Sequence, residues 1–209
     1  MQKFQSELIG VFFLTLTVGL TSSPIAIGLV LGALVYLFSD SSGAHLNPAI
    51  SLACWAKDEM NSRMLLSYLM AQTCGAVLAV MFLWWFTSAT YAPAPETSVS
   101  TLQFISLEFI LSMFFVLVYL GMMYPPKRRK NPAYGIVIGL AFAACYMITI
   151  PITDTGLNPV MSVIFIIADT VNNGYSYYYL PVYLIAPLLG ALAAAFIYGK
   201  TINPGEAQS

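Results

Sequence analysis

Four segments in the first half of the chain recur in the second half in the same order, and this repeat constrains the fold more than any other feature. ELIGVFFLTLTVGL from Glu7 resembles EFILSMFFVLVYLG from Glu108, and GLVLGALVY from Gly28 resembles GIVIGLAFA from Gly135. GAHLNPAIS from Gly43 resembles DTGLNPVMS from Asp154, and GAVLAV from Gly75 resembles GALAAA from Gly190. Each half holds three long apolar runs, at about 4–22, 24–39 and 64–88, then 102–123, 133–152 and 180–199. A membrane span needs about 20 mainly apolar residues. Three is odd, so the second half must enter a bilayer from the side opposite to the first, which makes an inverted-topology repeat. The period is too long for a solenoid. The expected fold is an all-α membrane protein of six spans. Residues 1–209 are read as one domain: repeat one at about 4–88, repeat two at about 102–199, and a tail at 200–209.

Composition agrees with a bilayer. Of 209 residues, 59% are hydrophobic and 8% charged, against roughly 25% charged in soluble domains. So little charge cannot cover a globular surface. A net charge of −1, with no basic stripe, argues against nucleic-acid binding. Cys54, Cys74 and Cys145 all lie in apolar runs and are read as buried thiols, not as a disulfide framework. The N-terminal run is read as the first span, not a signal peptide, because Glu7 interrupts it and the apolar pattern resumes after Pro24.

The charges orient the six spans. Lys3, Lys57, Arg63, Lys127, Arg128, Arg129, Lys130 and Lys200 all fall on one side, and Glu96, Asp154 and Asp169 fall on the other. The positive-inside rule then places both termini in the cytoplasm. Tyr175, Tyr177, Tyr178 and Tyr179 suit an aromatic belt at the outer interface. The KRRK run from Lys127 reads as a topology anchor, or as a site for anionic lipid headgroups.

Two apolar runs are too short to span, Ala49–Ala56 and 160–168, and each follows an Asn-Pro pair. Asn is a preferred N-cap, and Pro is favoured at the first helical position. NPAISLACWA and NPVMSVIFIIA therefore read as capped half-helices of roughly 13–16 Å, about half the hydrocarbon thickness. The first lies in a cytoplasmic link and the second in an outer one. If both fold back into the membrane, their N-termini meet near the midplane, each carrying about half a positive charge. That field opposes cations, protons included. The Asn47 and Asn158 amides are left to donate hydrogen bonds to a passing neutral molecule. The geometry implies a narrow path for uncharged solutes.

At these residues the sequence resembles the aquaporin and glycerol-facilitator family, the major intrinsic proteins. SGAHLNPAISLA is close to the family's first signature, and PITDTGLNPVMS is a departed form of the second. Glu7, Glu108, the glycine pairs and QTCGAVLA match as well, so the resemblance covers about residues 5–199. It implies six tilted helices, two re-entrant half-helices, one pore per subunit and a homotetramer. It places the paired motifs at Asn47, Pro48 and Ala49 and at Asn158, Pro159 and Val160. It carries the selectivity ring onto Ile27, Tyr146, Thr155 and Met161. Met161 stands where the family usually has Arg, and Val160 where it usually has Ala. Arg supplies a fixed charge and several donors, whereas Met supplies neither. The ring is expected to be less polar than a water-only filter, which by resemblance has His and Arg there.

The resemblance also implies a ladder of carbonyl acceptors from Gly43, Ala44 and His45 and from Thr153, Asp154 and Thr155. It gives Glu7 and Glu108 the task of bracing the pore loops. His45 reads as a structural histidine at the inner pore mouth or as a pH gate. Asp154, where the family tends to have a small residue, either faces the outer mouth or bonds loop backbone. The function expected is a passive channel in a cell membrane for water or small neutral solutes: glycerol-like polyols, urea, ammonia, hydrogen peroxide or neutral metalloid acids. A protein with its pore plugged by Ile27, Tyr146 and Met161 is one alternative. A weakly ion-conducting channel, permitted by the missing Arg, is another. The sequence holds no metal-ligand cluster, nucleophile-base pair or phosphate loop, which argues against an enzyme and against a bound cofactor.

Overall fold

The structure is a computed structural model that describes residues 1–125, 131–154 and 156–202. Helices α1 (Gln2–Leu20), α2 (Pro24–Ser42), α4 (Ser62–Thr87), α5 (Thr101–Met123), α6 (Tyr134–Thr153) and α8 (Leu180–Ile197) are the six long ones. The two short helices are α3 (Pro48–Ala56) and α7 (Pro159–Val171). A 3-10 turn at Ser176–Tyr179 leads into α8, and a π turn at Tyr198–Ile202 follows it. Among the described residues, six helices are long and apolar enough to cross a membrane. Thr155 of the expected ring and the KRRK run lie outside the described residues.

Local signals fix where helices begin and end. Ser23 caps α2 by accepting from the Ala26 N–H, Pro24 takes the first turn, and Gly43 at φ +85° closes the C-terminus. Asn61 caps α4. Ser100 and Gln103 form a reciprocal capping box at α5. Two helices outrun their apolar pattern. α2 continues beyond 39 because its polar end is satisfied locally: Ser41 Oγ donates to the Phe38 carbonyl and Ser42 Oγ to Glu7. α7 continues beyond 168 because Thr170 bonds the Ile166 carbonyl. Asp169 folds onto the Ser176 N–H and hydroxyl instead of facing lipid.

Packing follows the repeat. α1 packs on α4 as α5 packs on α8, and α1 on α2 as α5 on α6. α2 packs along α6, its own counterpart. The close crossings need glycine. A Cβ on Gly75 would stand 2.3 Å from the Leu8 carbonyl oxygen, and one on Gly190 would stand 2.4 Å from that of Phe109. Leu8 and Phe109 each follow the repeat's glutamate, so these contacts set how deeply Glu7 and Glu108 reach inward. The outward faces carry large apolar side chains, such as Trp85 at 73% and Leu102 at 74% exposed. Water would not tolerate that surface, and lipid does. Cys54 and Cys145 are buried as expected, but Cys74 lies on an exposed face of α4. An apolar run spanning a bilayer has a lipid-facing side, and Cys74 is on it.

Candidate functional site at the half-helix junction

The two half-helices meet end to end through their asparagines. Asn47 Nδ2 donates to the Leu157 carbonyl at 2.8 Å, and Asn158 Nδ2 donates to the Leu46 carbonyl at 2.9 Å. Each loop presents the accepting carbonyl by turning the preceding leucine left-handed, at φ +51° for Leu46 and +62° for Leu157. A bulky non-glycine residue seldom adopts that region, and the strain costs on the order of 1–3 kcal/mol per residue. Reciprocal bonds and the glutamates hold it in place. One amide hydrogen of each asparagine is thus spent on the opposite loop, so one per residue is left for a solute, not two.

The carboxylates sit directly under these loops. Glu7, fully buried, accepts from the His45 and Leu46 N–H groups at 3.0 and 2.7 Å. It also accepts from the Ser42 hydroxyl at 2.7 Å and the Gln72 amide at 2.8 Å. Glu108 accepts from the Leu157 N–H at 3.1 Å and the Thr153 hydroxyl at 2.7 Å. A buried carboxylate is costly in apolar surroundings unless its oxygens are bonded. Here each oxygen is bonded, and the acceptors hold extended backbone that has no helical partner.

The halves are not equal. Gln72 has Pro187 as its counterpart, so Glu7 gains a donor that Glu108 lacks. The capping expectation holds for one asparagine only. Asn47 Oδ1 accepts from the Ala49 N–H at 2.8 Å, worth about 1 kcal/mol to a helix start. Asn158 makes no side-chain cap bond, and its buried Oδ1 finds no partner among the described residues.

Three tyrosines that sequence reasoning did not single out complete the loops. Tyr68 donates to the Ser42 carbonyl at 2.7 Å, and Tyr183 donates to that of Thr153. Tyr119 donates to the Gly43 carbonyl at 2.7 Å. The Gly43 and Thr153 carbonyls of the expected acceptor ladder each take one protein hydroxyl, which leaves each a second lone pair. Tyr68 and Tyr183 stand seven residues before Gly75 and Gly190, so the repeat itself could have revealed them.

Two cavities approach the junction from opposite ends. The inner one, about 440 Å³, is lined by Ser42, Gly43, His45, Tyr68 and Tyr119 among others. His45 packs edge-on against Tyr68 and Tyr119 at 5.0 and 5.8 Å, with Nδ1 3.0 Å from the Ser51 hydroxyl. The outer cavity, about 280 Å³, is lined by Ile27, Tyr146 and Asp154 together with Tyr91. Ile27 and Tyr146 thus come together at its floor, while Met161 is fully buried in the first turn of α7. Asp154 faces this cavity and also takes the Tyr91 hydroxyl on Oδ1. Pro48, Pro159 and Val160 share a separate apolar cleft between α4 and α8.

Comparison with known proteins gives the same picture. The family model described as Major intrinsic protein matches residues 2–198. The chain is 32% identical over 181 residues to a protein named probable aquaporin AqpM from Archaeoglobus fulgidus, covering 83% of this chain and 73% of that one. It is 26% identical over 229 residues to aquaporin Z of Bradyrhizobium diazoefficiens, covering 95% and 92%. The solved aquaglyceroporin structure from Plasmodium falciparum superposes with a TM-score of 0.88 at 20% identity, over 100% of this chain and 99% of that one.

Proposed function

Because the chain belongs to the major intrinsic protein family, we propose that it is a passive channel for water and small uncharged solutes, running from the inner cavity past the two asparagines to the outer cavity. The observation that carries this reading is the reciprocal asparagine-to-loop bonding. It holds two helix N-termini at one point between two cavities and leaves an amide hydrogen on each asparagine. Two converging helix dipoles place partial positive charge there. A cation would meet that field after losing its water, whereas a neutral molecule exchanges hydration for the amide hydrogens and loop carbonyls. Relatives are named aquaporins and an aquaglyceroporin, which brings water and glycerol forward as solutes to test.

Around this path the reading adds further parts. Ile27, Tyr146, Thr155 and Met161 form the outer ring, which lacks a cation where the family usually has Arg. Asn47, Pro48, Ala49, Asn158, Pro159 and Val160 form the central motifs. Gly43, Ala44, His45, Thr153, Asp154 and Thr155 carry the carbonyls that line the path, and Glu7 and Glu108 brace the loops. The chain acts as one domain of two repeats. Both termini are cytoplasmic, the subunits assemble as homotetramers in a cell membrane, and no enzymatic step is involved.

A second reading, a pore closed at its outer end, is favoured by one observation: Ile27 and Tyr146 are each 1% exposed and Met161 is 0%. Stopped-flow light scattering on proteoliposomes separates the two. Shrinkage against an impermeant osmolyte at least severalfold faster than empty liposomes, lost in an Asn47→Ala/Asn158→Ala variant that keeps its helical circular dichroism, supports the open channel. Rates equal to empty liposomes for water and for glycerol support the closed one.

A further inference from the structure

The outer cavity has a wall that belongs to none of the four ring positions. The segment joining the halves, Ser88 to Ser100, is a long connection of the length usually reserved for functional loops. It runs across the end of α6 and is tied there at two points. The Tyr91 hydroxyl donates to Asp154 Oδ1. The Glu96 N–H donates to the Ile152 carbonyl at 2.9 Å. Pro93 and Pro95 stiffen the stretch between the ties. The Tyr91 ring is fixed edge-on against Phe165 of α7, with centroids 4.9 Å apart. It therefore bridges the half-helix to Asp154, and one edge faces the cavity opposite Ile27 and Tyr146.

Asp154 is itself held in an uncommon conformation, φ +64° and ψ −80°, directly after α6. A non-glycine residue stays there only when its surroundings over-determine it. The Tyr91 bond to its carboxylate and the Glu96 bond to the Ile152 carbonyl beside it do so.

We propose that Tyr91, latched to Asp154, is a specificity-determining residue that sets the size limit of the outer mouth. The proposal rests on the channel reading above. The latched ring removes the width a three-carbon polyol needs but leaves a water-sized passage flanked by a hydroxyl, a carboxylate and the Tyr146 ring. Tyr91→Ala removes the wall. Tyr91→Phe keeps the ring on Phe165 but frees it from Asp154, and Asp154→Ala frees it from the other side.

The test is the ratio of glycerol to water permeability in proteoliposomes of wild type, Tyr91→Ala, Tyr91→Phe, Asp154→Ala and the Tyr91→Phe/Asp154→Ala double variant. Each is first checked for helical circular dichroism and a monodisperse elution profile. A rise in the ratio of fivefold or more in Tyr91→Ala is expected. A rise of about twofold is expected in each single latch variant, and no further rise in the double variant, because both substitutions break one contact. An unchanged ratio in folded Tyr91→Ala, with flux above empty liposomes, overturns the proposal and leaves the channel reading standing. Flux equal to empty liposomes in every variant overturns both. A dead wild type opened to water by Tyr91→Ala overturns the size limit, because the latched ring would then leave no water-sized passage.

Discussion

Glu7 and Glu108 occupy equivalent positions and yet differ in what they hold. Among the described residues, Glu7 accepts four hydrogen bonds and Glu108 two, because Gln72 and His45 serve only the first. Substitution by glutamine keeps the size but turns an amide toward groups that donate. Bonds to a charged acceptor contribute about 1.5–3 kcal/mol each. Glu7→Gln is expected to lower the thermal midpoint in detergent more than Glu108→Gln, with a difference of about 1.5–3 kcal/mol, because glutamine keeps one accepting oxygen and Glu7 then loses one bond more. Equal midpoints would contradict the asymmetry. Asp154 adds a pH dependence. Burial pushes its carboxyl up from the usual carboxylate range, against the Tyr91 bond, which pulls it down. It therefore takes up a proton at higher pH than an exposed aspartate, and a neutral carboxyl accepts more weakly from Tyr91. The glycerol-to-water ratio is expected to rise as pH falls into the mildly acidic range and to stay flat in Asp154→Asn. Tyr91, Tyr146 and Tyr183 surround the group, and burial pushes the Tyr91 hydroxyl above the usual phenol range. Glu96 is exposed on the loop, and Glu108 lies one residue deeper, on Thr153. A pH response that survives Asp154→Asn belongs to another group, such as Glu96, Glu108 or the His45 of the inner cavity, and removes Asp154 from the assignment.

At the scale of elements, the repeat controls how the long helices approach one another. Gly190 meets the Phe109 carbonyl of α5 so closely that any side chain must separate the pair. Because α5 carries Glu108 one residue earlier, that shift also draws the carboxylate from Thr153 and Leu157. Gly190→Val is expected to cost several kcal/mol in stability and to remove flux, and Gly75→Val is expected to do the same in the other half. A folded Gly190→Val channel with wild-type flux would show that α5 and α8 can slide without moving the loop. The long helices and both half-helices were legible in the sequence because span length and the Asn-Pro start are local signals. So were the glutamates, since the repeat pairs them. The Tyr91–Asp154 latch was not, because 63 residues separate its partners and no periodicity connects a loop tyrosine to a helix end. The missing cap at Asn158 was equally hidden. Asn47 and Asn158 share a motif, and only their surroundings direct one Oδ1 to a backbone N–H and leave the other without one.

The orientation of the whole molecule follows from where charge meets the fold. Lys57 and Lys200 line one cavity, beside the start of the C-terminal turn. Lys3 lines the inner cavity with Asp40 and Glu59. Glu96 lies on the loop tied across the end of α6, beside the outer cavity. If positively charged segments stay on the cytoplasmic side, the inner cavity opens to the cytoplasm and the Tyr91 latch faces outward. The exposed Cys74 is embedded on the lipid-facing side of α4, where a charged reagent in water does not reach it. A cysteine at Glu96 is therefore expected to react with a charged, membrane-impermeant maleimide on intact cells, and one at Lys57 only after the membrane is opened. The opposite pattern would invert the molecule. It would place the latch on the cytoplasmic face. Labelling of both positions on intact cells would mean that the chain inserts in two orientations. The position-57 variant keeps the other seven Lys and Arg residues, so an unaltered pattern there would show that the remaining charges suffice.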